Sequence, residues 1–218
     1  MKKNIAIFLS FIFIFLSISP LKADRMVGIT GAFHMFDVSG TETTRTSGQT
    51  NTGDHSENVL VPELFIETEQ DGLAIGISYI PTRDMGSKSR TDTNSEGSSG
   101  TYTAKAELDN VIQIYADYTV TQYAGADIYL KGGIQHATIE TLESLNSGST
   151  YPDEDVFGYT FGVGAKGELP YGNNLFYKAD LTYTAFEDYE AGDEAGTGNT
   201  VSADLEDTAL KFSIGYKF

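Results

Sequence analysis

His136, Thr138 and Glu140 alternate along one extended stretch and so share one face of it. A base, a hydroxyl and a carboxylate can transfer acyl groups when the hydroxyl bonds to the base and an oxyanion donor faces the reacting carbonyl. Shared parity supplies neither condition. The three read as polar residues where a strand passes into a loop, and no catalytic residue is assigned. His34 and His55 have no second His or Cys at ligand spacing, which argues against zinc. The acidic runs YPDED from Tyr151 and EDYEAGDEAG from Glu187 do not follow the Asp-x-Asp-x-Asp-Gly pattern of a calcium loop and read as solvated loops. TFGVGAKG from Thr160 sits in a strand pattern with no helix after it, so no phosphate cradle is expected. The sequence therefore predicts no cofactor, no metal and no enzymatic activity.

The second chemical candidate is a set of charges spread over distant strands: Glu63, Glu67, Asp117, Lys131, Lys178, Asp180 and Lys211. Each adjoins a large apolar residue on at least one side within a period-two pattern, the mark of a strand with two unlike faces. The segments carrying this alternation start at Met26, Leu60, Gly72, Glu107, Ala124, Phe157, Asn174 and Leu205. That makes eight, separated by Gly, Ser, Asn and Asp clusters, with no long 3.6-residue periodicity. Their connections alternate. Tight turns are expected around Gln70-Asp71-Gly72, at Gln122-Tyr123 and at Pro170-Tyr171-Gly172-Asn173. Long polar loops are expected over 37–59, 83–106, 140–156 and 187–204.

An all-β chain with every long loop at one end and every tight turn at the other fits an eight-stranded antiparallel up-and-down transmembrane β-barrel. A Lys aimed at mid-bilayer hydrocarbon costs about 2–4 kcal/mol, which sets the parity of each strand. Outward go Val27, Ile29, Phe33, Leu64, Ile66, Ile75, Ile77, Ile114, Leu130, Phe161, Leu181, Phe212, Ile214, Tyr216 and Phe218 among others. Inward go the seven charges above with Asp127, Lys166 and Lys217, beside Gly158, Gly162 and Gly164. An eight-stranded interior is only wide enough for side chains. The carboxylates are therefore expected to pair with Lys131, Lys178 and Lys211 as a plug, a narrow gated channel being the alternative. A soluble barrel with its apolar set inward is a further alternative.

Positions 1–23, with Lys2, Lys3, an apolar run from Ile5 to Ile18, Pro20 and Ala23, are laid out as a signal peptide, leaving 24–218 as the barrel domain. The chain has no cysteine, hence no disulfide framework. Loss of three lysines with the signal moves the formal net charge from −17 to −20, which argues against nucleic acid as a partner.

These features resemble the small eight-stranded outer-membrane barrels, the group of OmpX, the OmpA transmembrane domain and the opacity proteins. The likeness lies in the signal peptide, the loop-and-turn alternation and the aromatic final strand KFSIGYKF, though this chain has no Trp. It implies a bacterial outer-membrane location and contact with membrane lipid and lipopolysaccharide. Tyr216 and Phe218 would be read by the outer-membrane assembly machinery, and the loops would meet an unidentified extracellular ligand. The role implied is structural or surface interaction, porin-like conduction being the alternative. His136 and Thr138 also resemble the His-x-Ser arrangement of outer-membrane lipid A deacylases, with Thr138 in place of the serine.

Overall fold

The computed structural model describes residues 23–45, 47–93, 99–142, 149–170 and 174–218. The expected signal peptide, Ala23 apart, and the centre of the third tight turn lie outside these residues. Among the described residues the strands follow in order: β1 (Asp24–Thr43), β2 (Thr50–Gln70), β3 (Leu73–Ile80), β4 (Arg83–Thr93), β5 (Ser99–Tyr123), β6 (Ala126–Thr141), β7 (Glu154–Glu168), β8 (Leu175–Phe186), β9 (Tyr189–Gly192) and β10 (Thr200–Lys217). Their pairings are antiparallel. The ladder runs β1-β2-β3-β5-β6-β7-β8-β10, and β10 pairs with β1 to close an eight-membered ring. β4 and β9 prolong the wall positions of β3 and β8, pairing with β5 and β10. Closure leaves no free edge around the lower part of the ring, as a wall in hydrocarbon requires.

Two of the segments expected as long loops are mostly strand. β1 and β2 stay in register from Asp24↔Glu69 to Thr43↔Thr50, so their connection is 44–49 rather than 37–59. β4 and β5 form a second tall hairpin within 83–106, and His55 lies in β2 rather than in a loop. The β-branched Thr of these stretches favours extended backbone despite its polarity, and two-sided polarity hid the alternation. At the short-turn end, Asp71-Gly72 and Ala124-Gly125 each carry two successive positive φ angles. That is the I′ geometry, which suits the twist of a hairpin. The second turn thus sits two residues beyond Gln122-Tyr123, because β5 keeps pairing through Tyr123↔Ala126.

The outward set forms an exposed apolar band, with Phe161 at 67 % and Phe212 at 61 % exposure. Ile66 and Ile77 hold the same parity, paired across β2 and β3, but are only 5 % exposed, clustered with Tyr79 and Ile112. The interior changes character with height. Next to the short turns lie Met26, Phe65 and Phe176, then the charged residues, and toward the long hairpins an apolar cluster of Phe36, Val61, Ile80, Leu108, Val111, Ile139, Val156, Phe186 and Leu205.

Candidate functional site

Of the charges placed inward by parity, the lower group converges from four strands. Lys178 of β8 bonds Glu67 of β2 and, at 2.6 Å, Asp117 of β5. Lys131 of β6 lies 3.0 Å from Asp117 and 3.5 Å from Asp180. Tyr115 and Tyr129 donate to Glu67 and Asp180, each at 2.7 Å, and the Lys131 ammonium stands 3.8 Å over the Tyr115 ring. These rings lie flat on the wall because Gly76 and Gly164 face them. A Cβ at either glycine would collide with the facing ring. The cavity among these groups is about 20 Å³, room for roughly one water. Lys166 bonds Glu69, and Lys217 pairs with Asp24 at 2.9 Å at the inner end. Asp127 accepts from Gln122 at 2.6 Å in an exposed position.

Above this group lies a neutral layer in which Thr160 accepts from Gln113 and Gln135, at 3.0 and 3.1 Å. A second charged group follows. Lys211 bonds Glu63 at 2.8 Å, and His34 lies between Glu63 (3.2 Å) and Asp207 (2.8 Å). Arg83 Nη1 reaches His34 Nδ1 at 3.0 Å and Asp207 at 3.3 Å. Arg83 and Asp207 did not emerge from the sequence. Asp207 shares parity with Lys211 and could have been found. Arg83 could not, because the chain slips by one residue at Pro81-Thr82: Ile80 is inward, Thr82 exposed and Arg83 inward again.

Above that level the barrel opens into a cup of about 390 Å³. Val38, Met85, Ala106, Ile139, Tyr151, Tyr189, Val201, Ala203 and Leu205 line it, and Glu42, Asn51, His55, Ser87 and Lys105 stand among the polar lining. Tyr151 donates to Glu42 at 3.0 Å and Tyr189 to the Pro152 carbonyl at 2.6 Å, which leaves their rings as wall. Burial, aided by the Glu42 carboxylate, raises the Tyr151 phenol above its ordinary range.

One side of the cup is a seam. β2 pairs with β3 only up to Leu64↔Tyr79, and among the described residues no ladder joins β2 to β4. Continued by two residues, that register sets Pro62 opposite Pro81, two residues with no N–H to give. Above them the His55 ring closes on Gly86, whose positive φ and lack of a Cβ permit the approach. A Cβ there would collide with His55 Nε2.

Three of the outer connections are tied together. Asn199 accepts from the Arg45 amide (2.9 Å) and donates to Ser149 (2.9 Å). Asp193 accepts from the amides of Thr150, Ala195 and Thr197. These bonds hold its carboxyl down to about 2 against the desolvation that would raise it.

On the outer wall, Thr138 donates to Asp155 at 2.7 Å, while His136 Nε2 lies 4.0 Å from the same carboxylate. The hydroxyl is thus committed to a carboxylate and not to the imidazole. Burial first, then the charges of Asp109, Asp153 and Glu107, raise the Glu140 carboxyl. Among the described residues no group of three or more His, Cys, Asp or Glu could hold a metal ion.

No family model and no curated protein matches the sequence. Solved structures do. The outer membrane protein OprG from Pseudomonas aeruginosa superposes with a TM-score of 0.58 at 14 % identity, covering 90 % of this chain and 96 % of that one. Outer membrane protein AlkL gives 0.46 at 12 % identity (92 % and 95 % covered), and Neisserial surface protein A gives 0.42 at 13 % (88 % and 99 %).

Proposed function

Since the chain is an eight-stranded β-barrel with the fold of the small outer-membrane proteins and an apolar outer band, we propose that it captures a small, mostly apolar molecule in its outer cup. The observation that carries this is the contrast in free space: about 390 Å³ of apolar-lined cup stands above a charged interior with a cavity of about 20 Å³. Binding pockets for small molecules are commonly about 300–1,000 Å³ and mostly apolar with a few polar groups. The lower interior blocks a straight path, and the unladdered β2/β4 side gives a captured molecule a lateral exit toward lipid. This refines a surface-interaction role. It is a binding role without catalysis, supported by the commitment of Thr138 to Asp155.

In the same reading the band meets lipid and lipopolysaccharide, and Tyr216 and Phe218, both exposed at the end of the closing strand, serve recognition by the assembly machinery. The test uses the barrel in lipid nanodiscs with a small apolar fluorophore such as aminoanthracene, empty nanodiscs being subtracted. Saturable fluorescence that Ala203→Trp weakens by about ten-fold or more supports the cup. Signal equal to empty discs, or unchanged by that substitution, overturns it.

A further inference from the structure

Val38, Met85 and Leu205 line the cup, and two residues further in along the same strands lie Phe36, Arg83 and Asp207. Arg83 has no solvent exposure, and its guanidinium carbon sits 5.1 Å over the Phe36 ring. Its Nη1 is engaged by His34 and Asp207, but Nε and Nη2 have no hydrogen-bond partner, and neither has Asp207 Oδ1. Two donors and one acceptor are therefore left over one layer below an apolar cavity. Buried polar groups in folded proteins are paired as a rule. Arg83 and Lys211 already stand against Asp207 and Glu63, with His34 between the two carboxylates, so a neutral head adds no further charge to be buried there.

Resting on the cup reading, we propose that the occupant is an apolar chain ending in a neutral head that both accepts and donates hydrogen bonds, a primary carboxamide or undissociated carboxyl group. Its carbonyl accepts from Nε and Nη2 of Arg83, and its N–H or O–H donates to Oδ1 of Asp207. Met85, unbranched and adaptable, is the side chain that moves aside to admit the head. The apolar tail stays among Val38, Ala203 and Leu205.

The test is displacement of the fluorophore from the nanodisc-held barrel by chain-matched compounds. Decanamide is compared with an acceptor-only methyl ester and with a permanently charged alkyl trimethylammonium. Decanamide should displace at about ten-fold lower concentration than either, the step expected for hydrogen bonds to charged groups. Arg83→Met should bring the amide-to-ester ratio to about one, and Arg83→Lys should recover it only in part. Equal potency of the three on the unsubstituted barrel, or an amide preference that survives Arg83→Met, overturns the head-group site while the cup stands. A fluorophore that never binds removes the cup itself, and the head-group site with it. If the Arg83 variants give no folded barrel, the series on the unsubstituted protein decides.

Discussion

The lower and upper halves of this tube obey opposite rules. On β1 the outward residues are Val27, Ile29 and Phe33 in the lower half and Asp37 above, while the inward ones change from Thr30 and His34 to Phe36 and Val38. β10 does the same: Phe212 and Ile214 outward give way to Asp204 and Glu206, and Lys211 inward gives way to Leu205. The lower half is inside-out, polar within and apolar without. The upper half is built like a barrel in water. The backbone ladder is common to both, so the surroundings of the wall, hydrocarbon below and water above, decide which face must be apolar.

The largest test of this contrast is Lys178→Met. It leaves Glu67 and Asp117 without their shared ammonium. The loss should be about 3–5 kcal/mol, read from urea unfolding in detergent or from the temperature at which the compact gel band converts. Adding Glu67→Gln should restore a large part of that loss, since removing both members of a buried pair is often close to neutral. A matched deletion sharpens the comparison. Tyr115→Phe removes a bond to a carboxylate in the lower half. Its cost should be about 2 kcal/mol, as for hydrogen bonds to charged groups. Tyr189→Phe removes a bond to a carbonyl in the upper half. Its cost should be smaller, about 1 kcal/mol, as for bonds between neutral groups. Equal costs would mean the two halves are not electrostatically distinct.

The smallest effect is confined to the outer connections. The Asp193 carboxyl lies below its ordinary 3.8, so the order it lends its turn is fully present above pH 3.8 and is lost as pH falls through about 2. Amide shifts of Ala195 and Thr197 should follow that titration, and Asp193→Asn should abolish it. Titration centred near 3.8 would place those amides in other bonds.

The lower half was legible in the sequence because one physical demand, keeping charge out of hydrocarbon, fixes the parity of the strands that carry charges, and alternation of apolar residues does so for the others. Lys131, Lys178 and Lys211 stand among the carboxylates that parity placed with them. The upper half was not legible, since that demand ends where lipid ends. Thr-rich stretches such as TNTGDHSEN in β2 are polar on both faces and show no alternation to read. Arg83 was hidden by the slip at Pro81-Thr82, and the bulge between Asp84 and Ser87 shifts parity again. Of the cup's apolar lining, Met85 owes its inward direction to the Pro81-Thr82 slip.

Strand length carries a last consequence. A tilted membrane strand needs about 9–11 residues. β1, β2 and β5 run to 20, 21 and 25. Ten surplus residues at about 3.4 Å each, inclined near 45°, raise the mouth about 25 Å clear of the hydrocarbon. The protein thus carries a chimney whose opening stands well above the lipid, while the β2/β4 seam begins nearer to it.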